Sequence, residues 1–472
     1  MIDSNPTDLE LDSALTEAQT SESSPLKIAF KENDKKPAIY EVAKFLIEKY
    51  NIKTISGIKR REIFIYQDGI YKPGEDVLKM DIRNILEELS NTHHIKEIIE
   101  TIKDLTPTDR KDFVVNPNFI NLRNGVFNIQ TKELYSHDPK YLFLIKIPIT
   151  YIPNTDCPKI KKFLSDILDE DQIKIVQEWV GSLLYRLYFI KKALILVGEG
   201  DTGKTTLLNL FFAFLGEANV SGISLQQITH DKFASSNLYN KHLNLYDDLS
   251  STDIKDNGAF KIATGGGVIT GEKKFGDQFQ FKNFAKLTFA CNKIPDVKEV
   301  SDEAYFNRWM VLQFNRVIEE ENRDKFLLDK ITTPEELSGL LNFALEGLGR
   351  ILTQQRFSYD KDVSEVKEEM LRSGSSIAQF GQDKLEQSTT GDWVSKDNMY
   401  TTFTEYCAKN NLLVVSQKSF GSRLPVIFPY MAHFKPKDPN DLKGKKQVNA
   451  WRNVRFKVNS DDTQAGPDSE NW

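Results

Sequence analysis

Residues 198–205 read Gly198-Glu199-Gly200-Asp201-Thr202-Gly203-Lys204-Thr205, a complete G-x-x-x-x-G-K-[ST]. The apolar run ALILV (193–197) precedes it and an apolar-periodic stretch to about Leu215 follows, which is the strand, loop and helix order this motif requires. Glycines there let backbone N–H groups curl around phosphate oxygens, and a helix start adds partial positive charge. Lys204 is expected to reach the β and γ phosphates, and Thr205 to offer its hydroxyl to Mg²⁺. Thr206 joins residues 198–205 in the expected nucleotide-binding set, with ATP and Mg²⁺ as the ligands. A chance glycine turn is the plain alternative, and the flanking strand and helix argue against it.

A phosphate loop of this kind works with an acidic residue at the end of a neighbouring strand, which helps to hold the metal and orient water. Asp247 and Asp248 close the segment HLNLY and fit that place; a solvated acidic turn is the competing reading. The centre of the chain alternates strand and helix: ALILV, a helix from Gly203, HLNLY, a helix near Ile254–Ala263, and LTFA. This predicts a three-layer α/β core with its chemistry at the strand ends.

The 472 residues allow about three domains. Residues 1–25 carry six acids and no Lys or Arg, and read as a disordered acidic tail. Residues 26–115 read as a small α/β module, with a helix from Ile39 to Tyr50, a hairpin turning at Asp68-Gly69, and helices near 77–89 and 95–102. Residues 116–190 read as a connecting domain of two strands around Asn124-Gly125 and two helices. The core spans 191–355, a linker helix spans 356–375, with its charged part at 361–372 followed by the linker SGSS, a basic domain spans 376–457, and 458–472 is a second tail. Asp169-Glu170-Asp171 resembles a metal-binding triplet but is expected to be a helix start.

A net charge of −6 argues against a uniformly basic coat, yet residues 418–457 hold ten Lys or Arg against two Asp. Three widely spaced cysteines indicate neither a disulfide framework nor a zinc site, and a reducing, cytoplasmic location in a host cell is expected. The richest apolar stretch, 181–197, is broken by Arg186, Lys191 and Lys192, so no membrane partner is expected.

The ordered phrases LVGEGDTGKTTLLNLFFAFLG, LNLYDDL, FKIATGGGVITGEKKF, KLTFACNKIPDV and FNRWMVLQF, with YQDGIYKPG and NLRNGVFNIQTKELYSHDP upstream, resemble superfamily 3 helicases of the AAA+ class. The likeness is to the helicase half of phage and plasmid primases and of the poxvirus primase-helicase. It implies a P-loop AAA+ (ASCE) core and a C-terminal winged-helix domain. Carried onto this chain, Asn292 matches the polar sensor and Arg308 the arginine finger that acts on a neighbouring subunit's triphosphate, with Arg316 a rival. Lys273 and Lys274, in a hairpin turning at Gly276-Asp277, match the DNA-gripping hairpin of the ring's channel. Phe434, Trp451 and Phe456 stand among the charges of the last domain, either as its core or as part of a duplex-binding face.

The resemblance therefore implies a homo-oligomer, by analogy a hexamer, that translocates 3′ to 5′ on single-stranded DNA during replication of a phage, plasmid or mobile element. A separate primase or replication protein is a further expected partner. Two departures stand out: Asp247-Asp248 replaces the commoner Asp-Glu pair, and the upstream module is too short for a priming domain. The alternative function is an origin-binding ATPase initiator without processive unwinding. A small-molecule kinase is a third possibility, for which no acceptor site is visible.

Overall fold

The computed structural model describes residues 35–55, 61–113, 115–247, 249, 257–272, 278–295, 300–437 and 446–457. Both tails lie outside these residues, as do Asp248, Lys273, Lys274 and the turn at Gly276-Asp277.

A parallel sheet of five strands forms the centre: β1 (Ala193–Val197), β2 (Val220–Ser221), β3 (Leu243–Tyr246), β4 (Lys286–Cys291) and β5 (Trp309–Gln313). The spatial order is β5-β1-β4-β3-β2, so β4 stands between the loop-bearing and the acid-bearing strands. Every residue of β1 is buried. Leu194 and Leu196 join a core with Trp179, Phe211 and Leu348, while Ala193, Ile195 and Val197 join another with Phe260 and Trp309. Burial on both faces explains why this strand reads as one apolar run rather than an alternating one. Helices cover the two faces, giving a mixed α/β core.

The upstream region has the expected helix, here Lys35–Tyr50, and adds strands Lys53–Ile55 and Pro107–Thr108 to the expected hairpin in a four-stranded sheet. Strands Glu62–Gln67 and Ile70–Pro73 meet at Asp68 (φ 52°) and Gly69 (φ 80°), a turn with both central residues left-handed, as tight hairpins favour. Arg110 of this module lies 5.5 Å from the Phe279 ring and 5.9 Å from the Tyr239 ring, and Phe279 pairs with Gly271 near the turn end of the hairpin Val268–Glu272/Gln278–Lys282.

Two expectations are corrected, and the alternative left open for Trp451 is decided in favour of the core. The connecting region has three strands, Phe119–Leu122, Gly125–Asn128 and Glu133–Tyr135, not two. Asn128 accepts backbone N–H bonds from Gln130 and Thr131 and so builds a second turn. The SGSS segment is not a linker: Val363–Gly374 is helical, and Ser375 caps the next helix, Ser376–Lys384. Trp451 is 1% exposed, in a core with Phe380, Phe403 and Phe420, with the Lys396 amine 4.1 Å from its ring centre, so it has no free face for a base. Asp169 does open the helix Glu170–Leu184, in a capping box with Gln172.

At the end of the sheet remote from the phosphate loop, three basic side chains are buried together. His242 Nδ1 meets the Leu183 carbonyl at 2.7 Å and so carries the ring proton there. Lys286 Nζ donates to the carbonyls of Tyr185, Leu187 and Phe284, and the Arg186 guanidinium lies 4.9 Å from the Phe284 ring. Burial, with Arg186 and Lys286 adding repulsion, pushes the His242 imidazole down to about 3 from 6.5. The unfolded chain therefore takes up this proton near pH 6.5 and the folded chain does not until about pH 3. Stability from this group is complete above pH 6.5 and is lost as pH falls, reaching about 2 kcal/mol of loss at pH 5. Urea unfolding at pH 5, 6 and 7.5 is expected to show this slope, and His242→Gln to flatten it; parallel slopes for the two proteins would contradict it.

Candidate nucleotide-binding site

The loop between β1 and the helix Lys204–Leu215 is shaped by backbone constraints. Gly203 has φ 88°, and a Cβ there would stand 2.8 Å from Ile167 Cγ2, so glycine is required on both counts. No side chain caps the helix start at Gly203, so its first N–H groups face the loop. Thr202, 2% exposed, donates to the Glu199 carbonyl at 2.9 Å and closes the turn from within.

Lys204 is buried and donates to the carbonyls of Gly198 and Glu199, at 2.8 and 2.5 Å, and to Thr202 Oγ1 at 3.2 Å. Burial lowers its pKa, while the carboxylates of Asp247 and Asp201 act in the opposite sense. The Thr205 hydroxyl donates to Asp247 Oδ2 at 2.7 Å, joining the loop to the end of β3 across the intervening strand. Loop residues 200–206, Asp247, Cys291 and Asn292 line one cavity of about 370 Å³. Asn292 follows β4 directly and so stands at the same sheet end. Phosphates need donors and positive charge, and a divalent ion needs hard oxygens; the loop N–H groups, Lys204 and the Thr205–Asp247 oxygens supply these. The residues present therefore fit a magnesium nucleotide.

Arg308 lies elsewhere. It precedes β5, whose first residue pairs with Ala193 and whose last pairs with Val197, so a full strand of roughly 13–16 Å separates it from the loop. It cannot reach its own chain's cavity. Its Nη1 donates to the Ala304 carbonyl, its Nε is buried with no hydrogen-bond partner among the described residues, and burial lowers its pKa. The rival Arg316 is engaged: its Nη1 donates to the carbonyls of Ser165 and Leu168, at 2.8 and 2.9 Å, at the end of the helix Pro158–Ile167.

Sequence reasoning missed two residues beside the loop. Cys291 lines the cavity as the last residue of β4. Arg323 pairs with Asp201, Nη2 to Oδ2 at 2.9 Å. Neither belongs to a spacing pattern, although Cys291 adjoins Asn292.

Residues 26–169 match the family described as D5 N terminal like, and residues 196–308 match a family of unknown function, DUF5906. The first match covers the region before the phosphate loop, and the second begins at Leu196 and ends at Arg308. The chain is similar to the apo structure of the NrS-1 C terminal region (305–718), at 16% identity, covering 87% of this chain and 98% of that one with a TM-score of 0.48. An A form apo structure of that region has 15% identity, the same coverages and a TM-score of 0.48. Another A form has 16% identity, coverages of 87% and 97%, and a TM-score of 0.47. No curated protein matches. Among the described residues, no helix is long and apolar enough to cross a membrane.

Proposed function

We propose that this protein is an ATP-driven DNA helicase of the superfamily 3, AAA+ kind, acting as a ring on single-stranded DNA in the replication of a phage, plasmid or mobile element. The observation that carries the reading is the Thr205–Asp247 hydrogen bond of 2.7 Å beside the buried Lys204, with Asn292 lining the same cavity. The parallel strand order supports a P-loop AAA+ core, and the D5 N terminal like match supports a replication protein of the phage or viral primase-helicase kind.

ATP is the substrate. Lys204 and the helix start would bind its phosphates, Thr205 and Asp247 would hold Mg²⁺, and Asn292 can donate and accept at the terminal phosphate or the attacking water. The metal supplies charge neutralisation on the phosphate oxygens. Arg308, at the opposite sheet end, can contribute only to the site of a second copy, which is why the reading requires an oligomer, by analogy a hexamer. Lys273 and Lys274 are assigned to the DNA strand, and Asp248 to the metal and water beside Asp247, on the sequence resemblance. The basic last domain is read as a winged helix that contacts duplex phosphate.

The test is ATP turnover with and without single-stranded DNA, together with displacement of an annealed strand. Turnover is expected to rise severalfold with DNA, and strand displacement to depend on ATP. Hydrolysis stimulated by DNA without displacement would favour the initiator reading, and turnover indifferent to DNA would reject both.

A further inference from the structure

Asp201 presents an electrostatic problem that the motif does not explain. It sits in the phosphate loop in the left-handed region (φ 61°) and lines the cavity assigned above to a triphosphate. A bare carboxylate there opposes a polyanion and also competes for Lys204, whose ammonium feels its charge.

Arg323 answers both points. It follows the turn Glu320–Asn322 in the segment after β5, and its Nη2 lies 2.9 Å from Asp201 Oδ2. Its Nε donates to the Ile318 carbonyl at 3.1 Å, and the Ile318 N–H donates to the Asp201 carbonyl at 2.9 Å. The loop is thus tied to one short segment through both its backbone and its charge. The two side chains are 41% and 57% exposed, so the ion pair adds little to folding stability. What it changes is the local potential, because a neutral pair stands where a lone anion would face the phosphates.

We infer that Arg323 is a positioning residue of the nucleotide site: it neutralises Asp201 and holds the loop so that the triphosphate can be accepted. This rests on the nucleotide reading above and adds to it an arginine supplied by the same chain, separate from Arg308.

Isothermal titration with Mg-ATP and Mg-ADP, together with steady-state hydrolysis, tests it on the full chain. Arg323→Ala is expected to weaken ATP binding about tenfold, with most of the loss in KM rather than kcat, and Arg323→Lys to restore most of it. Because the effect runs through Asp201, Arg323→Ala introduced into Asp201→Asn is expected to change affinity less than about twofold. Unaltered affinity in Arg323→Ala, or an undiminished tenfold loss in the Asp201→Asn background, would overturn the inference. If Lys204→Ala loses nucleotide while Arg323→Ala does not, the site stands and only this inference falls. If the unaltered protein binds no nucleotide, both fall.

Discussion

Asp247→Asn is expected to lower ATP turnover by about 10²–10³-fold while nucleotide still binds, whereas Lys204→Ala is expected to lose binding and turnover together. The two side chains do different work in one cavity. Lys204 is drawn inward by the carbonyls of Gly198 and Glu199, so its charge is fixed at the base of the loop where the phosphates must lie. Removing it deletes binding that ground state and transition state share, as well as charge stabilisation. Asp247 instead receives the Thr205 hydroxyl. An asparagine carbonyl can still accept that bond, so the loop keeps its anchor, but the negative charge that would hold the metal is gone. Phosphate release and equilibrium nucleotide binding, measured side by side, separate the two defects. Wild-type turnover in Asp247→Asn, or wild-type affinity in Lys204→Ala, would remove these residues from the site.

How much of this is legible in the sequence depends on the distance over which each feature is encoded. The phosphate loop is local: its glycine at φ 88° and its lysine are one residue apart, so the motif alone locates them. Strand β1 is legible because burial on both faces demands an unbroken apolar run. The hairpin at Asp68-Gly69 is legible because two consecutive left-handed residues need that pair of types. Only its register before WMVLQF favours Arg308 over Arg316 in the sequence; the fold adds that Arg316 is occupied by two carbonyls 148 and 151 residues earlier. Trp451 stays undecided in the sequence for the same reason. An aromatic residue among charges reads alike as core or as surface until strands Trp393–Ser395 and Ala432–Phe434 close on either side of it. The Asp201–Arg323 pair spans 122 positions with no repeating pattern, so it too becomes visible only in three dimensions.

The largest stability effect is expected at Glu178, far from any motif. Its side chain is fully buried, yet it sits in the helix Glu170–Leu184 against the helix Pro334–Gln354. Those helices approach so closely that a Cβ on Gly347 would lie 2.3 Å from the Gln177 carbonyl oxygen. Water cannot solvate the carboxylate there, and the protein replaces it: Arg350 Nε donates at 2.6 Å, the Ser358 N–H at 2.6 Å, the Ser358 hydroxyl at 2.7 Å and Gln354 Nε2 at 3.3 Å. Breaking one side of a buried pair strands the other, which costs about 3–5 kcal/mol. Arg350→Ala leaves Glu178 charged with neutral donors only, and Glu178→Ala leaves the Ser358 N–H without its acceptor; each is expected to destabilise by about 3 kcal/mol. Because both losses come from one network, the double variant is expected to fall short of their sum by at least about 1 kcal/mol. Urea unfolding of the four proteins gives the cycle directly. Strict additivity, or an Arg350→Ala loss below about 0.5 kcal/mol, would mean that this carboxylate is held by something other than the arginine, and that the helix pair supporting β1 owes its alignment to apolar packing alone.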